Sequence, residues 1–338
     1  MSECTIEYKK KDFANDNEVR WCPGCGDYSI LSSLQMALTK VGKKKEDIVC
    51  VSGIGCSSRF PYYIGTYGYH TIHGRAPAIA SGMKLANPDL SVWIITGDGD
   101  GMSIGGNHLI HTLRRNINMN ILLFNNEIYG LTKGQYSPTT EKGKVTKTSP
   151  YGSIDHPFNP GKLAIGAGAT FIAKTIDTDP KHMTDIMIEA DKHKGISFVE
   201  IYQNCVIFND KAHDAYTNRQ TRDENTLYVE HGKKMIFGKE KNKGIVLKGF
   251  NLEVVTIGEN GITESDIVVH DKYNPILAFQ LLESSNPPEF PMAIGVLYQQ
   301  DKSTYEEDME NSRQQVIVKK GARNLSDIIL GEEVWSVE

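Results

Sequence analysis

Val92-Trp93-Ile94-Ile95-Thr96-Gly97-Asp98-Gly99-Asp100-Gly101 decides the fold, together with Ile121-Leu122-Leu123-Phe124-Asn125-Asn126 downstream. The first apolar run has strand length and stops at glycines. The second stops at two asparagines, and a polar, helix-like run separates them. This pattern predicts a strand, a crossover helix and a parallel strand, with polar groups gathered at the strands' carboxyl ends. Open parallel sheets place their ligands at that edge.

The residue types at those ends suit a diphosphate held through a divalent metal. Asp98 offers a carboxylate oxygen, Asn126 an amide oxygen, and the turn after Asn126 a backbone carbonyl, that of Ile128. Mg²⁺ takes such hard oxygen ligands and shares them with phosphates. The flanking glycines permit positive φ and a close backbone approach. Asp98-x-Asp100 also resembles the start of a calcium loop, but an EF-hand would need a carboxylate at its twelfth position, which is Leu109.

Gly97-Asp98-Gly99, with Asn126 lying 28 positions after Asp98, resembles the thiamine diphosphate motif. The run Asn126-Glu127-Ile128-Tyr129-Gly130-Leu131-Thr132-Lys133-Gly134-Gln135-Tyr136-Ser137-Pro138-Thr139 is more specific. It resembles the β subunit of 2-oxoacid:ferredoxin oxidoreductases, in their 2-oxoglutarate branch, and the resemblance extends from about Trp21 to Asn209. The implied fold is α/β, a mostly parallel sheet flanked by helices that binds the diphosphate half of the cofactor, with a small C-terminal α+β appendage. The expected division is 1–209 for the cofactor and cluster domain and 210–338 for the appended segment. Gly99, Asp100, Gly130 and Leu131 are expected beside thiamine diphosphate and Mg²⁺.

The other motifs meet this edge. Trp21-Cys22-Pro23-Gly24-Cys25 precedes a helical pattern over Tyr28–Val41, where thiolates gain from nearby N–H groups. A lone CxxC leaves redox, zinc and iron–sulfur chemistry open, although no strand precedes it and no second CxxC exists. One CxxC and two remote cysteines fit a [4Fe–4S] cubane, and the resemblance implies Cys22, Cys25, Cys56 and Cys205 as its ligands. Cys50, in the strand Ile48–Val51, reads as a buried core thiol, and Cys4 as a bystander. The resemblance also brings Ile54, Gly55, Cys56 and Ser57 to both cluster and cofactor, and His73 of His73-Gly74-Arg75 to the cofactor. His70 reads as structural, and Arg75 as either a diphosphate contact or an interface ion pair.

Lys133 directly follows the cofactor-side loop. Its ammonium suits the distal carboxylate of 2-oxoglutarate, which pyruvate lacks. Such a charge-assisted hydrogen bond is worth about 1.5–3 kcal/mol, roughly tenfold to a hundredfold in selectivity. The competing reading is a solvated loop lysine, the usual fate of lysines, or one that pairs with the α subunit or ferredoxin.

In 338 residues the formal charge is −5, which argues against the basic footprint of a nucleic-acid protein. No apolar run reaches the ~18–20 residues that span a bilayer, and Met1–Lys11 is polar and lysine-rich. A soluble, cytoplasmic protein is expected. No glutamate upstream of Gly97 stands in a pyrimidine-domain setting, and the region before Asp98 is short. A separate α subunit is therefore expected to complete the site, with coenzyme A, ferredoxin and a 2-oxoacid as further partners. Two rival classes remain: a non-redox thiamine decarboxylase or carboligase subunit, and a non-enzymatic iron–sulfur electron-transfer protein. The first predicts a colourless protein; the second, a coloured one indifferent to thiamine diphosphate.

Overall fold

The computed structural model describes residues 7–331 and Trp335; Cys4 lies outside the described residues. Eleven strands form among them: β1 (Ile48–Ser52), β2 (Tyr67–His70), β3 (Ser91–Gly97), β4 (Met119–Asn125), β5 (Phe171–Ile176), β6 (Ile196–Tyr202), β7 (Thr226–Val229), β8 (Ile236–Phe237), β9 (Lys243–Lys248), β10 (Asn251–Thr256) and β11 (Met292–Gln299). Eight make one sheet in the order β2-β1-β3-β4-β6-β5-β11-β7, and β10-β9-β8 make a second, antiparallel sheet. The large sheet is parallel throughout except that β11 runs antiparallel to β5.

β1, β3, β4, β5 and β6 read as near-continuous apolar runs because helices cover both faces. Their residues are buried almost without interruption. One face packs α1 (Asp27–Leu38) and, later in the chain, the helix Pro180–Lys192, in a core that includes Leu34, Phe60, Trp93 and Met187. The other face packs α2 (Ala76–Ala86) and, beyond α3 (Asp98–Met102), α4 (Gly106–Arg115). Gly97-Asp98-Gly99-Asp100-Gly101 is thus not a bare turn: its last four residues open α3.

The chain leaves β1 for β2 on one side and returns to place β3 on the other. That reversal opens a crevice between the carboxyl ends of β1 and β3, where doubly wound sheets take ligands.

Three features depart from the sequence expectation. The aromatic, glycine-rich stretch Phe60–His73 has the composition of a loop but contains the edge strand β2, all four of whose residues are exposed. The helix Tyr305–Lys320 and strand β11 carry no clear periodic signal in the sequence. Finally, the expected break at 209/210 does not interrupt the sheet. β7 and β11 complete it, and Leu227, Ala293 and Leu297 share a core with Val92 and Ile121. Only the small β8–β10 sheet lies outside it. Among the described residues no helix is long and apolar enough to cross a membrane.

Candidate cofactor and thiol site

Two cavities open at the carboxyl edge of the sheet and share a wall. The smaller, about 80 Å³, is bounded by Ile54–Ser57 after β1, His73 before α2, Gly97–Asp100 after β3, and Asn126 with Ile128–Thr132 after β4. The larger, about 220 Å³, is lined by all four cysteines singled out above, Cys22, Cys25, Cys56 and Cys205. Cys56, Asn126, Gly130 and Leu131 line both.

Asp98 is buried at the floor of the smaller cavity. Its Oδ2 accepts from Thr139 Oγ1 at 2.7 Å, and burial pushes its carboxyl up to about 6. It forms no ion pair with a Lys, Arg or His among the described residues. An uncompensated buried carboxylate calls for a cation. Asn126 stands opposite, its Oδ1 accepting from Ile128 N at 3.2 Å and its Nδ2 donating to Gln203 at 2.8 Å. Asp98, Asn126 and Ile128 line this one cavity.

Asp100 has a different task. Its Oδ1 accepts from Ile54 N (3.0 Å) and Gly74 N (2.7 Å) and lies 2.8 Å from His73 Nδ1. Its Oδ2 accepts from Thr96 Oγ1 at 2.7 Å. One carboxylate thus ties the β1, β3 and pre-α2 loops around the cavity. Arg75 donates to the carbonyls of His73 and Ile104, and His70 packs its Nδ1 against Ser52 Oγ and Ser58 O, a structural role. Gly55, at φ +137°, adopts a conformation that strains any other residue and faces open space.

The thiols are free. Burial pushes Cys25 and Cys56 upward, Cys56 to about 12, and the Asp27 carboxylate beside them adds more to this than the neighbouring thiols do. Such thiols become thiolates only beside a strong positive charge. Gln203 donates to Cys25 Sγ at 3.3 Å and accepts from Asn126, linking the two cavities. Trp21 Nε1 donates to the Cys56 carbonyl. Cys50, by contrast, is buried in β1, with Thr66 Oγ1 3.7 Å from its sulfur. Among the described residues no three His, Cys, Asp or Glu side chains crowd closely enough to grip a single ion.

Lys133 lines the thiol cavity, with Arg20 and Arg59, rather than the smaller cavity. Its backbone has φ +79°, and its N–H donates to the Gly130 carbonyl. Sequence reasoning assigned no role to Asn125, Thr139, Glu200 or Gln203. Gln203 stood two residues before Cys205 at a strand terminus, which was the available signal.

Fold and site define a thiamine diphosphate-binding domain, and residues 47–201 match the family described as thiamine pyrophosphate enzyme, C-terminal TPP binding domain. The chain is 50% identical over 337 residues to the 2-oxoglutarate oxidoreductase subunit KorB of Mycobacterium tuberculosis, covering 98% of this chain and 89% of that protein. It is 46% identical over 185 residues to the 2-oxoglutarate synthase subunit KorB of Archaeoglobus fulgidus, covering 55% of this chain and 69% of that protein. Among solved structures it resembles the 2-oxoglutarate:ferredoxin oxidoreductase of Magnetococcus marinus with 2-oxoglutarate, coenzyme A and succinyl-CoA bound. That match has a TM-score of 0.78, 31% identity and 98% coverage of both chains. The chain belongs to the β-subunit family of the 2-oxoglutarate:ferredoxin oxidoreductases.

Proposed function

We propose that this chain is the subunit that holds thiamine diphosphate through Mg²⁺ and carries one [4Fe–4S] cluster. With an α subunit it would oxidatively decarboxylate 2-oxoglutarate, passing the acyl group to coenzyme A and electrons to ferredoxin. The observation that carries this reading is the shared wall: Cys56, Asn126, Gly130 and Leu131 face a diphosphate-type cleft on one side and a four-thiol cavity on the other.

Asp98, Asn126 and the Ile128 carbonyl supply the hard oxygens Mg²⁺ takes, and the buried, unneutralised Asp98 fits a cation. The smaller cavity, about 80 Å³, suits the diphosphate end alone, leaving the rest of the cofactor to a partner's surface. Ile54–Ser57, Gly99, Gly130 and Leu131 would border it, Asp100 would hold those loops together, and His73 would face the cofactor. For the cluster, Cys22, Cys25, Cys56 and Cys205 offer four thiols, with the buried Asp27 carboxyl beside them, hydrogen-bonded to Cys25.

When bound, thiamine diphosphate supplies the electron sink for decarboxylation and the cluster accepts electrons one at a time. This chain's residues position, desolvate and hold charge. Tyr129 OH donates to the Gly99 carbonyl at 3.0 Å, fixing the β4 loop against the β3 loop on the cleft wall. A non-redox thiamine enzyme has no use for four converging thiols.

The decisive experiment is anaerobic purification with its α subunit, followed by the visible spectrum and a thiamine diphosphate titration with and without Mg²⁺. A brown protein with Mg²⁺-dependent cofactor binding is expected. A colourless one, or one indifferent to thiamine diphosphate, refutes the proposal.

A further inference from the structure

We infer that Ser137-Pro138-Thr139-Thr140 is a clamp that positions both arms of the metal-facing site, Thr139 on Asp98 and Thr140 on the turn between Asn126 and Ile128. The inference rests on the metal assignment just proposed and deepens it.

Thr139 Oγ1 lies 2.7 Å from Asp98 Oδ2 and 3.0 Å from Asn125 Oδ1. The next residue, Thr140, donates from its Oγ1 to the Glu127 carbonyl at 2.6 Å, and accepts from Ser137 N at 2.7 Å. Glu127 separates Asn126 from Ile128. Two consecutive hydroxyls therefore reach the end of β3 and the end of β4, the two strand termini that supply the oxygens. Ser137 Oγ lies within 3.3 Å of both hydroxyls and closes the group. All three side chains are buried.

The polarity of this network is fixed from deep in the sheet. Lys174 on β5 and Glu200 on β6, both fully buried, approach to 3.4 Å. The Glu200 carboxylate offers acceptor oxygens on this side of the sheet. Asn125 must then direct its Nδ2 at Glu200 Oε1, 2.8 Å away. That orientation leaves Asn125 Oδ1 facing Thr139. The Thr139 hydroxyl, with one proton for this oxygen and Asp98 Oδ2, stands nearer to Asp98 Oδ2, at 2.7 Å against 3.0 Å. One oxygen of Asp98 thus takes the single Thr139 proton, which fixes the rotation of its carboxylate, while Asn125 Oδ1 stands 3.0 Å from Thr139 Oγ1 as the competing acceptor. Groups that orient ligating carboxylates matter nearly as much as the ligands.

These are positioning residues, and the test reads metal binding rather than turnover. With the β chain assembled with its α subunit and thiamine diphosphate present, Mn²⁺ is titrated in place of Mg²⁺, with free Mn²⁺ followed by electron paramagnetic resonance. Thr139→Val should weaken Mn²⁺ binding roughly tenfold to a hundredfold. Thr139→Ser, which keeps the hydroxyl, should restore it, and the melting temperature of the metal-free assembly should barely differ between the two. Thr140→Val should weaken binding in the same way and decides the matter if Thr139→Val does not fold. Wild-type Mn²⁺ affinity in Thr139→Val, or a loss in Thr139→Ser equal to that in Thr139→Val, overturns the clamp while Asp98→Asn still abolishes binding. Undiminished binding in Asp98→Asn instead takes down the metal assignment, and this inference with it.

Discussion

Gly130 stands against Cys56: a Cβ placed on the glycine would lie 3.5 Å from the Cys56 sulfur, and 3.6 Å from that of Cys205. The contact is ordinary for one methyl group, and a larger side chain must reach past it into one of the flanking cavities. Gly130→Ala should therefore purify with its iron, whereas the branches of Gly130→Val must enter one cavity or the other, so that variant should carry little iron. Iron and sulfide analysis alongside circular dichroism checks this; a fully loaded Gly130→Val would show that the wall is not where a cluster sits.

Single Cys→Ser exchanges separate the ligands from the bystander. Cys22→Ser, Cys25→Ser, Cys56→Ser and Cys205→Ser should each lose the visible absorbance and most of the iron. Cys50→Ser should keep both, because its thiol is enclosed in β1 away from the cavity. Full iron in Cys205→Ser would break the ligand set.

Gly53 has no room for a side chain. A Cβ there would fall 1.9 Å from Asp100 Oδ2, the oxygen already held by Thr96. Gly53→Ala must push Asp100 off Ile54 and Gly74 and should destabilise by about 1–3 kcal/mol, the usual cost of overpacking. Thermal unfolding measures it, and an unchanged melting temperature would contradict the role of Asp100 as the tie between loops.

Lys133→Met distinguishes a substrate contact from a solvated lysine. If the ammonium meets the distal carboxylate, kcat/KM for 2-oxoglutarate should fall by roughly tenfold to a hundredfold while that for pyruvate changes little. Equal losses on both substrates would move the choice of substrate to the α subunit. Because Lys133 lines the thiol cavity beside Arg20 and Arg59, a changed electron-transfer rate to ferredoxin with unchanged selectivity would point to docking instead.

Acid should weaken the fold through His193. Burial holds its imidazole down at about 4 against an ordinary 6.5, with Nε2 2.8 Å from Thr170 Oγ1. The unfolded chain takes up a proton below pH 6.5 that the folded chain refuses until about pH 4, so this contribution is intact above 6.5 and lost on acidification between those values. Asp98 and Asp177, raised by burial to about 6, tilt the curve the opposite way. The readout is therefore the difference between wild type and His193→Gln. Wild type should lose about 1–3 kcal/mol more than the variant from pH 7 to pH 5; parallel curves would refute it.

What could be read from the sequence was what repeats locally. The strands β3 and β4, the helix before them and the Cys22/Cys25 pair all carried their signal within a dozen residues, whereas Cys56 and Cys205 joined that pair only through the resemblance. β2 did not, because an edge strand with four exposed residues has no apolar alternation to show. The helix Tyr305–Lys320 did not either: it buries only Glu306, so no apolar stripe marks its period. β11 contains Gly295, held at φ +123° with Val229 pressed against it, and follows a proline-rich stretch, which disguised the strand that joins the C-terminal segment to the sheet. Thr139 was in plain view, but its partner Asp98 lies 41 positions away. No local pattern announces that pairing, nor that of Asn125 with Glu200.

The four thiols come from three widely spaced segments, and this sets a timetable for the living cell. Cys22 and Cys25 are synthesised about 180 residues before Cys205, which at 5–20 residues per second is a delay of roughly 10–40 s. Until β6 has slotted between β4 and β5, the early thiols have no cavity to line. The nascent chain must therefore bring two bare cysteines through translation unassembled, and delivery of iron to the cluster proposed above would follow folding rather than guide it.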